Sequence, residues 1–113
     1  MRVVAARAAR LSPISRYVVA DDSMLPAFRA GERVAVNRLA YVLHAPRTGD
    51  AIVLRDPGMP SRYLLKRIAA RTRVDDGETS YDVRGDNTGY SRDSRAFGAV
   101  HQARIVGKVW FKY

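Results

Sequence analysis

Cysteine is absent from this chain, and histidine occurs only twice, at His44 and His101. Without cysteine there can be no disulfide scaffold, no thiol nucleophile and no zinc site with cysteine ligands. Neither histidine has a second histidine or a carboxylate near it at the spacing of metal ligands. We therefore expect no metal site.

Long apolar runs are also missing, since none approaches the roughly 18–20 residues that a membrane-spanning helix needs. The first eleven residues are basic and rich in alanine, but they are too short and too charged for the apolar core of a signal peptide. A short surface helix is one interpretation of this segment, and a mobile N-terminus is the one we favour. We expect a protein without a membrane anchor that is cytoplasmic or peripheral to a membrane, with contact through the basic N-terminus left open.

Acidic residues are fewer than basic residues: the chain has 11 Asp and Glu and 20 Lys and Arg, which gives a formal charge of +9. This balance favours an anionic partner, but the arginines are scattered, and a codon bias toward arginine explains them equally well. The 113 residues, 47% of them hydrophobic, suit one domain with one core. We divide this domain, 1–113, into a basic N-terminal segment, 1–15, and a β core, 16–112.

Short runs rich in Val, Ile and Tyr alternate with Gly, Pro and Asp after residue 15, which is typical of β structure. One segment, 37–44, is open to either a helical turn or a loop. The sequence thus predicts an all-β fold, a single compact domain of mostly antiparallel strands. The predicted strands are 16–20, 33–37, 51–55, 62–71, 80–84 and 103–112.

A polar corner, Asp21-Asp22-Ser23-Met24-Leu25-Pro26, follows the first of these strands. A serine at the end of a rigid element would have its hydroxyl exposed, as a nucleophile requires. We therefore take Ser23 as the candidate nucleophile. Met24 and Leu25 are expected to pack beneath the corner and are candidates for a substrate pocket.

Lys66 is the candidate general base. A lysine is protonated at neutral pH, since its ordinary pKa is about 10.4, and it becomes a base only when burial or nearby cations lower that value. Strand alternation places Leu64, Lys66 and Ile68 on one face, so this lysine is flanked by apolar side chains. A surface lysine whose aliphatic stem covers apolar neighbours has the same pattern.

The segment from Gly85 to Gly98 is dense in turn formers and hydroxyls. In one interpretation it is a surface loop with an internal pair between Asp93 and Arg95. In the other it supports the site, with Ser91 hydrogen-bonded to the lysine amine while Asp93 and Arg95 hold the loop.

Together these segments resemble the signal peptidase I family of serine–lysine proteases over roughly residues 16–112. That family has a Ser-Met-x-Pro box, a Gly-Asp strand, a Lys-Arg-[Val/Ile] strand and a long Gly-Asp-Asn…Ser-x-Asp-Ser-Arg motif, of which the last is the most specific. Here they read, in this order, Ser23-Met24-Leu25-Pro26, Gly49-Asp50-Ala51-Ile52-Val53, Lys66-Arg67-Ile68 and Gly85 through Gly98.

The resemblance implies a catalytic core of the signal-peptidase and LexA type that cleaves a precursor without a cofactor. Ser23 would be the nucleophile, Lys66 the base, Ser91 the residue that orients the lysine, and Asp93 and Arg95 the loop supports. The main-chain N–H of Ser23 would stabilise the oxyanion, and small residues would precede the cleaved bond.

The chain also departs from the family. Asp21 stands where some members have a serine that donates a second hydrogen bond to the oxyanion. The turn after the base strand is remodelled, the large inserted subdomain is missing, and so is the membrane anchor. A short relative that matures one precursor, as for nickel-type superoxide dismutase, therefore ranks close to a general signal peptidase.

Three other functions remain as alternatives. A Ser-His-Asp hydrolase would use Ser23 with His44 or His101, but the chain has no Gly-x-Ser-x-Gly elbow. A self-cleaving repressor of the LexA type would share the chemistry, but no helix-turn-helix precedes the serine. A non-enzymatic basic β module would bind nucleic acid through aromatic side chains, which we instead expect in the core, so no specific nucleic acid partner is expected.

Overall fold

The computed structural model describes residues 2–7, 13–73, 79–87 and 97–113, and nearly all of them belong to strands or tight turns. The prediction of an all-β fold is confirmed. Eight strands are present in these ranges: β1 Arg2–Arg7, β2 Ile14–Val19, β3 Arg33–Asn37, β4 Ala51–Asp56, β5 Met59–Arg73, β6 Thr79–Arg84, β7 Val100–His101 and β8 Ile105–Lys112. One 3-10 turn, Gln102–Arg104, lies between β7 and β8.

All the strand pairings are antiparallel, in the order β1-β2-β3-β8-β4-β5-β6-β7. An additional pairing of β1 with β5 closes the first six of these strands into a ring. The pair β6 and β7 extends from β5 outside the ring. The radius of gyration, 13.1 Å, is close to the value of about 13 Å expected for a compact chain of this length.

Two apolar clusters form the core, one on each side of the sheet at β4 and β5. Alternation along β5 sends Leu65 into the first cluster and Leu64 and Ile68 into the second. The first cluster has at its centre Val19, Met24, Val34, Val36 and Val53. The second contains Ile52, Leu54, Tyr81, Val83 and Val100.

The N-terminal segment differs from the prediction. Residues 2–7 form β1, which pairs with β2 through Val3 and Val19 and with β5 through Val3 and Tyr63. The prediction of a mobile N-terminus or a surface helix was therefore wrong for these residues. The physical reason is that Val3 is buried at 2% exposure in the first cluster, and β1 supplies the pairing that β2 and β5 would otherwise lack.

The aromatic residues were only partly placed correctly. Tyr17 and Tyr81 are buried as predicted, but Trp110 and Phe111 at the end of β8 are exposed, at 60% and 47%. Their rings contact each other edge to face, with centroids 5.2 Å apart, so each ring covers part of the other.

Among the described residues, no helical segment has the length and apolar character needed to cross a bilayer.

Gly107 marks the closest approach of β8 to β3. A Cβ at this position would collide with the main-chain carbonyl oxygen of Asn37 and lie 2.9 Å from Cγ1 of Val36. We predict that Gly107→Ala lowers the free energy of unfolding by about 2–3 kcal/mol, since the obstacle is backbone in a paired strand. Urea unfolding measures this loss.

The matched control is Gly58→Ala. A Cβ there meets only Oδ1 of Asp56 at 3.6 Å, an ordinary van der Waals contact. This variant should stay within about 0.5 kcal/mol of the unchanged protein. Equal stability of the two variants would contradict the close approach of β8 to β3.

Candidate active site

The turn that carries Ser23 follows β2 and folds back beneath the loop after β6. Its main chain is held by a bond from the Leu25 N–H to the Asp22 carbonyl, 3.2 Å, and one from the Phe28 N–H to the Met24 carbonyl, 2.9 Å. Met24 is fully buried in the first cluster, while Leu25 is half-buried. Met24 packs as predicted, and the role of both residues in a substrate pocket stays a prediction.

Ser23 itself is buried, at 1% exposure, and its Oγ has no hydrogen-bond partner among the described residues. The prediction of an exposed hydroxyl was wrong. Two contacts explain the burial: Met24 anchors the turn in the core, and the Asn87 N–H donates to the Ser23 carbonyl at 2.8 Å. The Asn87 side-chain amide also donates to the Asp22 carbonyl at 3.1 Å.

One more hydrogen bond bears on this turn. The main-chain N–H of Ser23 donates to Oδ1 of Asp21 at 3.1 Å. Asp21 is half-buried, whereas the adjacent Asp22 is exposed. The carboxylate of Asp21 thus lies against the N–H group next to the candidate nucleophile.

Lys66 lies in the middle of β5, opposite Ile52 of β4. It is fully buried, at 0% exposure, and Leu64 and Ile68, two residues to either side of it, are buried as well. The predicted alternation of β5 therefore describes the structure correctly, and the interpretation of Lys66 as a surface lysine is excluded.

A clamp formed by Arg67 and Asp86 joins β5 to the turn after β6. The Arg67 guanidinium donates from Nε to Oδ1 of Asp86 at 2.8 Å and from Nη2 to Oδ2 at 2.7 Å, a two-point contact. Its Nη1 donates to the Gly49 carbonyl at 2.9 Å. The Asp86 N–H in turn lies 3.3 Å from the Met24 sulfur, which accepts it.

The clamp therefore links the strand that carries Lys66 to the turn that carries Ser23. Arg67 is the next residue after Lys66. Asp86 contacts the turn at Met24, and Asn87 contacts it at Asp22 and Ser23. Two segments that are far apart in sequence are thus held in one hydrogen-bonded unit.

Comparison with known proteins relates this chain to one family. Residues 1–72 match the family model described as signal peptidase, peptidase S26. The chain is 30% identical to signal peptidase I of Bacillus caldolyticus, with 92% of this chain and 81% of that protein covered. It is also 30% identical to signal peptidase IB of Staphylococcus aureus, with 88% and 78% covered.

The chain belongs to the signal peptidase family. A third relative, the probable signal peptidase I-1 of Synechocystis sp., is 27% identical over 91% of this chain and 76% of its own length. These alignments extend over 149 to 150 positions, more than the 113 residues present here. The relatives therefore have segments within the aligned region that this signal peptidase family member lacks, which is consistent with the prediction that an inserted subdomain is missing.

Three predicted support residues of this family member, Ser91, Asp93 and Arg95, lie outside the described residues. Their roles as the group that orients Lys66 and as loop supports stay predictions. In the described ranges, the contacts between the two candidate segments come from Arg67, Asp86 and Asn87, which were not among the predicted site residues. The signal for them was present, because Arg67 adjoins the candidate base and Asp86 and Asn87 open the Gly85–Gly98 motif.

Each histidine contacts a main-chain group close to it in the sequence, and the ring of His44 also meets the Tyr41 ring edge to face, with centroids 5.9 Å apart. His101 accepts the Ala103 N–H at 3.1 Å and so caps the 3-10 turn, and His44 has its Nδ1 3.0 Å from the Ala45 carbonyl. Both are exposed, whereas Ser23 is buried. These contacts favour structural roles over a Ser-His mechanism. No group of potential metal ligands occurs in the ranges that the structure describes.

Asp50 fixes the start of β4 beside the clamp. Its Oδ2 accepts from the Tyr41 hydroxyl at 2.7 Å and the Arg47 N–H at 3.1 Å, and its Oδ1 lies 3.5 Å from Nζ of Lys108. Burial by itself raises the pKa of Asp50, but these hydrogen bonds and the Lys108 charge outweigh it and hold the pKa below its ordinary value. Burial and the same hydrogen bond raise the pKa of Tyr41.

We predict that this carboxylate contributes stability only while it is ionised. Because its pKa is lower in the folded than in the unfolded protein, the contribution is complete above the unfolded value near 3.8 and is lost as pH falls through the folded value. Asp50→Asn should lower the free energy of unfolding by about 1–2 kcal/mol at neutral pH. Urea unfolding at neutral pH and near pH 3 compares the two proteins; a difference that does not shrink in acid would contradict the prediction.

Proposed function

We propose that the chain is an endopeptidase of signal peptidase type in which Ser23 is the nucleophile and Lys66 is the general base. The observation that carries the proposal is the burial of both side chains, 1% and 0% exposed, on segments joined by the Arg67–Asp86 clamp. A lysine buried among apolar residues of a β-strand costs stability and therefore suggests a function.

Burial also supplies the activation that the chemistry requires. Removing an ammonium group from water disfavours its charged form, so we expect the pKa of Lys66 to lie below the ordinary value of about 10.4. A neutral amine can accept the proton of a serine hydroxyl, and a lysine in this state replaces the histidine of more familiar proteases.

The reaction proceeds in two acyl transfers. In the first, Ser23 Oγ forms a bond to the carbonyl carbon while its proton passes to Lys66 Nζ, and that proton then leaves with the amine as the C–N bond breaks. In the second, Lys66 takes a proton from water, whose oxygen attacks the ester, and Ser23 recovers a proton as the acid product departs. The products are a free carboxylate and a free amine, and no cofactor takes part.

The main-chain N–H of Ser23 is the proposed donor to the oxyanion of both tetrahedral intermediates. An N–H group adjoining the nucleophile is fixed in place by the backbone and needs no reorganisation when the charge develops. Two hydrogen bonds hold this part of the turn. The Asn87 N–H donates to the Ser23 carbonyl, and the Asp86 N–H donates to the Met24 sulfur.

The substrate class follows from the family, which implies a precursor protein. We propose that small residues precede the cleaved bond, as the family resemblance suggests. A general role on many precursors and a dedicated role on one precursor fit these observations equally well. A general peptidase would cleave many sequences in a mixed peptide pool, and a dedicated one would cleave few.

Contact with a membrane surface is a further part of the proposal. The loop after β3 exposes Leu39, Val42 and Leu43 at 57%, 70% and 93%, and the chain carries a formal charge of +9. Apolar side chains on a basic protein favour peripheral binding to anionic lipid. Sedimentation with anionic and with neutral vesicles would distinguish such binding from its absence.

The test is cleavage of a peptide pool containing Ala-x-Ala segments, followed by mass spectrometry between about pH 6 and 10. Acid quenching at short times should trap the N-terminal fragment as an ester, and peptide mapping should find it on Ser23. The rate should rise with pH as one amine deprotonates. Cleavage that persists undiminished in Ser23→Ala, or an adduct on another residue, would overturn the proposal.

A further inference from the structure

The proposed oxyanion donor is already engaged in this structure. The Ser23 N–H donates to Oδ1 of Asp21 at 3.1 Å, a contact within the turn between residues two apart. A single N–H proton directed at one acceptor is not available to a second with good geometry. While this contact persists, the carbonyl oxygen of a substrate has no access to the Ser23 N–H.

The carboxylate also opposes the reaction through its charge. The oxyanion of a tetrahedral intermediate has to develop at hydrogen-bond distance from the Ser23 N–H, which is where Oδ1 of Asp21 now lies. Two negative charges within a few ångströms repel each other, and more strongly beside a buried serine than in bulk water. Asp21 therefore has to move before Ser23 can be acylated.

The rest of the turn does not move easily. Its carbonyl groups at Asp22 and Ser23 accept from the Asn87 side chain and main chain, and Met24 is fully buried. The Asp21 side chain, which is half-buried, takes no part in these bonds to Asn87, so a change of its rotamer leaves them intact. A change of the Asp21 rotamer would release the Ser23 N–H while the main chain of the turn stays in place.

We propose that Asp21 is an intramolecular cap on the oxyanion site, which suppresses cleavage until the substrate displaces it. The inference rests on the proposed function, since it assigns the Ser23 N–H to the oxyanion. Asp21 is a positioning residue in this scheme, because it acts through the N–H of Ser23. It makes the resting enzyme slow toward peptides that bind too weakly to displace the carboxylate.

Two substitutions of Asp21 separate the cap from its charge. Asp21→Ala removes the acceptor, so cleavage of short peptides should accelerate by about a hundredfold, the lower end of what one oxyanion donor contributes. Asp21→Asn keeps an acceptor oxygen but removes the charge and should give a smaller increase with the turn preserved. The matched control is Asp22→Asn, which changes the net charge equally at an exposed side chain and should leave the rate unchanged.

A second measurement reads the contact without relying on turnover. The amide proton resonance of Ser23 should move upfield in Asp21→Ala and stay in place in Asp22→Asn, because a hydrogen bond to a carboxylate shifts an amide proton downfield. Burst kinetics measures acylation and hydrolysis of the acyl-enzyme separately. Both rates should rise, because the oxyanion forms in both steps. A change confined to folding stability would alter neither of these.

The outcomes distinguish the two proposals. Faster cleavage in the order Asp21→Ala, Asp21→Asn, unchanged protein, together with the amide shift, supports the cap. Cleavage that is no faster in Asp21→Ala, or an unmoved Ser23 amide, overturns the cap even where Ser23→Ala is inactive. Cleavage that persists in Ser23→Ala overturns the proposed function and with it the cap.

Discussion

Replacing Lys66 by methionine is expected to slow peptide cleavage by about a thousandfold, which is the contribution of a well-placed general base. The same change should leave the free energy of unfolding equal or higher. Lys66 is fully buried between Leu64 and Ile68 and opposite Ile52, so methionine fills the site without the cost of a buried amine. Loss of activity together with retained stability separates a catalytic lysine from a structural one.

Peptide cleavage and urea unfolding of the same preparations test this expectation. The matched control is Lys112→Met, since Lys112 is 45% exposed and pairs with Glu32 at 3.2 Å on the surface. A surface ion pair contributes about 0–1 kcal/mol, so this variant should cleave at the unchanged rate. A Lys66→Met protein that still cleaves, or one that unfolds while Lys112→Met does not, would contradict the assignment.

Breaking the clamp is expected to have the second-largest effect. Arg67→Ala removes both bonds to Asp86 and the bond to Gly49, so the unfolding free energy should fall by about 2–3 kcal/mol. Cleavage should slow by about tenfold to a hundredfold, because small displacements of a nucleophile from its base are costly. Arg67→Lys should recover only part of either loss, since an ammonium group cannot make the two-point contact.

A double-mutant cycle with Asp86→Asn measures the coupling between the two side chains. Arg84→Ala is the comparison, because Arg84 also pairs with an aspartate, Asp82, at 3.2 Å, but is 47% exposed at the surface. We expect a clear coupling energy and a slower reaction for the clamp, and little change in either quantity for Arg84. Equal effects of the Arg67 and Arg84 variants would show that the clamp does not position the site.

The sequence predicted those features that depend on alternation along a strand. Five of the six predicted strands lie within two residues of β2, β3, β4, β6 and β8 at every boundary, and the sixth is shorter than β5 at both ends. Alternation also identified the face of the strand on which Lys66 lies. Successive side chains point to opposite faces, so one buried residue determines the face of every other residue in the strand. The family match covers residues 1–72, which include β2, β3, β4 and all of β5 except its last residue.

Features that depend on contacts between distant segments were not predictable in this way. β1 was missed because an alanine-rich basic stretch has weak strand propensity by itself and is stabilised by pairing with β2 and β5. The burial of Ser23 depends on Asn87 as well as on Met24, and Asn87 contacts the corner from a distant part of the chain. Arg67 and Asp86 stand in the family motifs, but their contact between β5 and the turn after β6 does not follow from their spacing along the chain.

The closure of the ring by β1 has a consequence for how this chain folds. Its pairs, Arg2 with Leu64 and Val3 with Tyr63, join residues about 60 positions apart, so they close a long loop at a high entropic cost. The hairpin of β4 and β5, joined by the short turn at Pro57 and Gly58, can form from local contacts alone. We expect β1 to dock last, and therefore to stiffen β5 at Leu64, two residues from Lys66, only in the final step of folding.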